Sequence, residues 1–129
     1  MRAYIAVTTD ELSALLEKDS FPFRTAFILT TEFAQANSEL DEEELEFELS
    51  WSAAQASRSG QESPQAMGFV LAVDLAHGQI GDTVGDQVQL RSEIAWSQVE
   101  SILVSESEEP ELTWYASQEL VTYLPTWKA

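Results

Sequence analysis

The run Phe69-Val70-Leu71-Ala72-Val73 constrains the chain more than any other feature. Five apolar residues in succession, without polar alternation and bounded by Gly68 and Asp74, mark a strand whose two faces are both shielded from water. Such a strand needs a layer on each side of its sheet, so the rest of the chain must supply those layers. With 129 residues, 44% of them hydrophobic, it has the means. A chain of this length buries roughly two-thirds of its unfolded surface without staples. The expectation is a single α+β domain over residues 1–129.

The flanking segments fill in the layers. Residues 4–8 read as a strand, rich in Ile, Val and Tyr. Thr8-Thr9-Asp10-Glu11 has capping-box spacing, and Leu12, Leu15 and Leu16 follow at helical intervals, so a helix is expected over 9–18. A strand at 25–30 comes next, and strand–helix–strand of this length suggests a right-handed parallel crossover. Thr31 is placed to cap a turn or two of helix around Phe33. Beyond the central strand, 76–86 reads as a glycine-punctuated loop. Val88, Leu90, Ser92 and Ile94 alternate as in a half-buried strand, residues 96–100 suit one helical turn, and 102–105 suit another strand. An acidic turn at 106–111 leads to a strand at 112–116 and a short helix at 118–124. The sum is a mixed sheet of five to six strands with a long helix and short helices packed on it.

The long helix is the contested element. Leu45, Phe47, Leu49 and Trp51 alternate with polar residues as a strand does. Against this, Asp41-Glu42-Glu43-Glu44 suits a helix N-terminus, where peptide dipoles favour negative charge, and Ser52-Ala53-Ala54-Gln55-Ala56 is helix-friendly. On a helical wheel Leu45, Leu49, Ala53 and Ala56 form one stripe and Phe47, Trp51 and Ala54 another. The reading is a long helix buried on two sides.

Charge bounds the function. Twenty-three acids against six bases give a formal net charge of −17. The bases, Arg2, Lys18, Arg24, Arg58, Arg91 and Lys128, are scattered along the chain. Nucleic-acid backbones and anionic membranes both require clustered cations, so neither is an expected partner. A solubilising surface explains the charge most simply; attraction of a basic partner protein is the sharper reading. The chain has no cysteine, which excludes disulfides, thiolate nucleophiles and cysteine-based metal sites and fits a reducing cytoplasm. The apolar start is too short for a signal peptide, and no apolar run approaches the roughly 18 residues of a membrane span.

Candidate chemistry is sparse. His77, the only histidine, follows the buried strand, with Asp74 the nearest acid in sequence. A lone histidine in a Gly-containing loop is more often a solvated turn residue than a base, and no G-x-S-x-G elbow accompanies it. Asp82 and Asp86 bracket Thr83-Val84-Gly85, fewer ligands than a calcium loop needs. The glycines at 78–85 match no phosphate-binding pattern, so no cofactor is expected. The acidic runs at 41–44 and 106–111 are a docking face or simply a helix start and a solvated loop. Trp51, Trp96, Trp114 and Trp127 are expected mainly in the core, although Trp114 and Tyr115, adjacent on a strand, must face opposite sides. Three readings stand: a non-enzymatic interaction or regulatory domain, which is preferred; a small enzyme using carboxylates or His77 in a pocket; and an acidic mimic of nucleic acid that binds a basic protein. The oligomeric state is not legible.

Met1-Arg2-Ala3-Tyr4-Ile5, Asp41-Glu42-Glu43-Glu44-Leu45-Glu46 and the segment from Leu112-Thr113-Trp114-Tyr115 to Gln118-Glu119-Leu120 together resemble a family of small actinobacterial proteins of unknown function. Its members tend to begin M-R-x-Y-[VIL], carry a D-E-E-E-L-E helix start and end near L-W-Y-A-[ST]-Q-E-L. The resemblance favours a helix over 41–58. Many relatives carry a further helical segment before the last strand, where this chain has only its acidic turn. It implies no activity, cofactor or catalytic residue. The polar positions matching it are Arg2, Tyr4, Glu43, Glu46, Tyr115 and Glu119, and the plainer role for them is a structural ion-pair network around Arg2.

Overall fold

A computed structural model describes residues 1–59, 67–107 and 109–128. The punctuation foreseen at 59–64 and position 108 of the acidic turn lie, Ser59 apart, outside the described residues. Among the described residues, besides three short 3-10 turns, nine strands and four α-helices follow one another: β1 (Arg2–Val7), α1 (Thr9–Lys18), β2 (Ser20–Phe21), β3 (Thr25–Ile28), α2 (Thr31–Ala36), α3 (Glu42–Ser59), β4 (Gly68–Asp74), β5 (Ile80–Val84), β6 (Gln87–Leu90), β7 (Ile94–Ala95), β8 (Val99–Ser105), β9 (Thr113–Ala116) and α4 (Leu120–Lys128). Seven strands form one sheet in the order β5-β6-β3-β1-β4-β8-β9, and β2 pairs with β7 in a separate ribbon.

The α+β class and the central place of β4 agree with the sequence reading. On one face of the sheet Tyr4, Phe27, Val70 and Ala72 meet Leu49, Ala53 and Ala54 of α3. On the other, Ile5, Val7, Leu71, Val73 and Ile102 meet Leu12 and Leu15 of α1 and Leu120 and Leu124 of α4. Helices on both faces are why β4 is apolar throughout, although its neighbours β1 and β8 are antiparallel.

The sheet departs from expectation in direction. Every pairing among the described strands is antiparallel, and there are seven strands rather than five or six. The β1–α1–β3 unit is no parallel crossover, since Ala3 faces Ile28 and Tyr4 faces Phe27 in antiparallel register. After α1, Asp19 turns the chain with φ 60°. The segment 20–24, pinned by β2–β7 pairing and by Trp96 N–H donating to Asp19 O, brings it back to the end where β1 stopped. The alternating stretch after Gln87 also breaks, with Leu90 ending β6 and Ile94 joining β2. Residues 80–84, expected as loop, form the edge strand β5, joined to β6 by a two-residue turn in which Gly85 takes φ 63°.

The helices follow their local chemistry. Thr8 and Glu11 make the reciprocal capping box of α1, with Thr8 N–H to Glu11 Oε1 at 2.9 Å and Glu11 N–H to Thr8 Oγ1 at 3.2 Å. Thr30, not Thr31, caps α2 by accepting from Phe33 N–H at 3.0 Å. Asp41 accepts from Glu44 N–H at 2.8 Å at the start of α3. α3 is a helix but is buried on one side only: Leu45, Leu49, Ser50, Ala53, Ala54 and Ser57 face the sheet, while Ala56 and Phe47 are exposed. Two contacts seat it. Ser57 Oγ donates to Val7 O at 2.7 Å and accepts from Phe69 N–H at 2.9 Å. Gly68 permits a close approach, since a Cβ there would lie 2.6 Å from the Ala54 carbonyl oxygen.

A candidate recess between the long helix and the sheet

Where the N-terminal half of α3 passes over β1, β4, β8 and β9, side-chain size leaves a gap. Tyr4, Ala72 and Ser101 stand side by side across three strands, and Trp114 lies opposite Leu103 on the edge strand. Ala72 and Ser101 are short, and so is Ser50 above them on α3. The result is a recess of about 360 Å³ with Tyr4, Ala72 and Ser101 in its lining, Arg2, Glu46 and Glu100 around it, and Phe47 and Trp114 at the rim.

Its polar groups are positioned by specific devices. Arg2 and Tyr4 are two apart on β1 and so project to the same face. Glu100 is the extra residue of a β-bulge, because Ala72 pairs with Ser101 but Val73 with Val99. A bulge re-aims a side chain, and here Arg2 Nη2 donates to Glu100 Oε2 at 2.6 Å. That hydrogen bond is the main reason the Arg2 pKa is raised further above its ordinary value. Burial raises the Tyr4 pKa, the negative charge of Glu46 raises it further, and Arg2 partly opposes both. Both shifts reinforce the form each group already holds at neutral pH, Arg2 charged and Tyr4 neutral.

Two polar side chains remain uncommitted. Ser101 is only 7% exposed and its hydroxyl has no hydrogen-bond partner among the described residues. Glu46 is half-buried yet makes neither an ion pair nor a hydrogen bond among them. The rim is apolar and open, with Trp114 62% and Phe47 39% exposed and Phe47 stacked on Trp51 at 6.5 Å.

The polar positions singled out in the sequence divide. Arg2, Tyr4 and Glu46 meet in the recess. Glu43 does not line it and sits exposed in the first turn of α3. Tyr115 points to the opposite face, packing on Tyr123 at 4.9 Å and Trp127 at 5.1 Å and donating to Glu106 at 3.1 Å. Burial, then that hydrogen bond, raises its pKa. Glu119 accepts from Ala116 N–H at 2.9 Å and so closes the turn leading into α4. The Arg2 ion pair exists, but its partner Glu100 was not singled out; only the register slip at the bulge brings it there. Tryptophan is less buried than expected: Trp51, Trp96 and Trp127 are half-buried and Trp114 lies outside the core.

The other candidates stay apart. His77 is exposed in a short helical turn beside a cleft of about 560 Å³ that also reaches Glu32 and Arg91; its carbonyl accepts from the Ile80 N–H, and its imidazole makes no hydrogen bond among the described residues. Asp74 holds the Met1 amine at 2.7 Å instead. Asp82 lies on β5 and Asp86 in the turn after it, and no group of three potential metal ligands occurs among the described residues. No described helix is long and apolar enough to cross a membrane.

No curated protein and no solved structure matches the chain. A family model does match, over residues 1–111, a span that carries Arg2, Tyr4, Glu46, Glu100 and Ser101 and stops short of Trp114. The chain therefore belongs to that family, DUF6912, a family of unknown function.

Proposed function

We propose that the chain is a non-enzymatic interaction domain of the cytoplasm that docks a basic partner protein. The observation that carries this reading is an uncompensated acidic surface next to exposed aromatic rings. Among the described residues, cations meet carboxylates at Met1–Asp74, Arg2–Glu100 and Lys128–Asp10. None of these relieves Glu42, Glu43, Glu44, Glu46 or Glu48 of α3. The basic residue of that helix, Arg58, lies at its far end and donates to the carbonyls of Ser105 and Ser107. A field of this sign speeds encounter with a positive partner, and Phe47 and Trp114 supply apolar area to hold it.

The absence of cysteine from the sequence fits a reducing compartment and supports the cytoplasmic assignment. Capture from native cytoplasm at about 50 and about 300 mM salt, followed by reconstitution with the purified captured protein, tests the reading. A net-positive partner whose affinity falls steeply between the two conditions is expected. Recovery of no partner at either salt level overturns the proposal.

A further inference from the structure

We infer that the recess receives an arginine side chain of the partner, its guanidinium entering between Phe47 and Trp114 toward Glu46 and Ser101. The inference rests on the interaction reading and adds the anchor and its chemistry.

The lining identifies the occupant by what it lacks. Arg2 is committed to Glu100 at 2.6 Å, so the cation in the recess is already neutralised. Neither the Glu46 carboxylate nor the Ser101 hydroxyl has a hydrogen-bond partner among the described residues. The Ser101 hydroxyl lines the recess without a partner among the described residues and so is available to a group that enters it. Glu46 can only accept, so the group it lacks is a donor, the Ser101 hydroxyl serves either way, and the net charge of −17 makes a cation the favoured donor and an anion the disfavoured one.

Shape narrows it further. About 360 Å³ is near the lower limit for small-molecule sites and suits one long side chain. Carboxylate, hydroxyl and aromatic rim in one recess suit guanidinium better than ammonium. Guanidinium is planar, stacks on aromatic faces and presents several donors at once, whereas ammonium is a compact and strongly hydrated point charge.

The test is a nuclear magnetic resonance titration of the whole chain with capped glycine–arginine peptides and their glycine–lysine counterparts. The arginine peptide is expected to shift the backbone signals of Glu46 and Ser101 and the indole signal of Trp114. Binding should be about fivefold tighter than for the lysine peptide. Glu46→Gln and Trp114→Ala should each weaken it about fivefold, while Glu17→Gln on α1 leaves it unchanged. Ser101→Ala should weaken binding without loss of thermal stability, which a merely structural hydroxyl would not do. Salt-dependent binding that shifts acidic surface signals alike for both peptides, but leaves Ser101 and Trp114 unmoved, overturns this inference and spares the interaction reading. No binding of either peptide at low salt overturns both.

Discussion

Ser57→Ala isolates how the C-terminal half of α3 is held over the sheet. Ser57 is 4% exposed and its hydroxyl joins the helix to two strands at once. The substitution removes one oxygen and leaves the Phe69 N–H and the Val7 carbonyl without this partner in a buried setting. Losing a buried hydrogen bond and stranding a donor costs about 1–3 kcal/mol, so with two backbone groups affected the expected loss is about 2–3 kcal/mol. For a domain of this size each kcal/mol lowers Tm by roughly 3–4 °C, giving a fall of about 6–12 °C. Ser59→Ala is the matched control: its hydroxyl donates to the helix's own Gln55 carbonyl at 2.9 Å in an exposed position, and the expected change is below about 0.5 kcal/mol. Urea unfolding followed by tryptophan fluorescence, with m unchanged between variants, gives both values. Equal effects of the two substitutions, or a loss under about 0.5 kcal/mol for Ser57→Ala, would refute the claim that this hydroxyl clamps the helix.

Further outcomes follow from other contacts. Gly68→Ala sets a Cβ against the Ala54 carbonyl oxygen at 2.6 Å and should cost about 1–3 kcal/mol in thermal melts. Thr8→Ala removes a helix cap bonded in both directions and should cost about 1 kcal/mol, read by chemical denaturation. Tyr4 and Tyr115 have folded pKa values raised above the unfolded value, so their contribution to stability is intact below about pH 10 and is lost as pH rises through the folded pKa. Phenolate absorbance should show both ionising later in the folded than in the unfolded chain, and Tyr4→Phe should flatten the alkaline fall in stability.

Much of the fold was legible because local signals agreed with tertiary burial. The run at Phe69–Val73 needed two covering layers and has them, and the Thr8–Glu11 spacing gave α1 its start. Alternation misled at Leu45 to Trp51 only if taken alone; the acids at its head and the alanines after it favour the helix that forms. Strand direction was not legible, because a helix between two strands fits a parallel crossover equally well until the return segment at 20–24 is seen. β5 escaped because Ile80-Gly81-Asp82-Thr83-Val84 lies at an exposed edge with little apolar pattern. Arg2, Tyr4 and Glu46 were legible as polar positions. Glu100 was not, since a bulge is a property of register between two strands and leaves no mark on one of them. Ser101 and Ala72 contribute by being small, and that matters only once Tyr4 and Trp114 flank them.

The most direct test of the account is the affinity of the reconstituted basic partner for three forms of the chain at one salt concentration: the native sequence, Glu46→Gln with Trp114→Ala, and Asp10→Asn with Glu17→Gln on α1. If the recess anchors the partner, the first pair should weaken binding about tenfold or more, as loss of a central anchor does. The α1 pair should then change it by no more than about twofold, as rim charges do. Equal weakening by both pairs would contradict the account, leaving the partner held by net charge and the recess without a role.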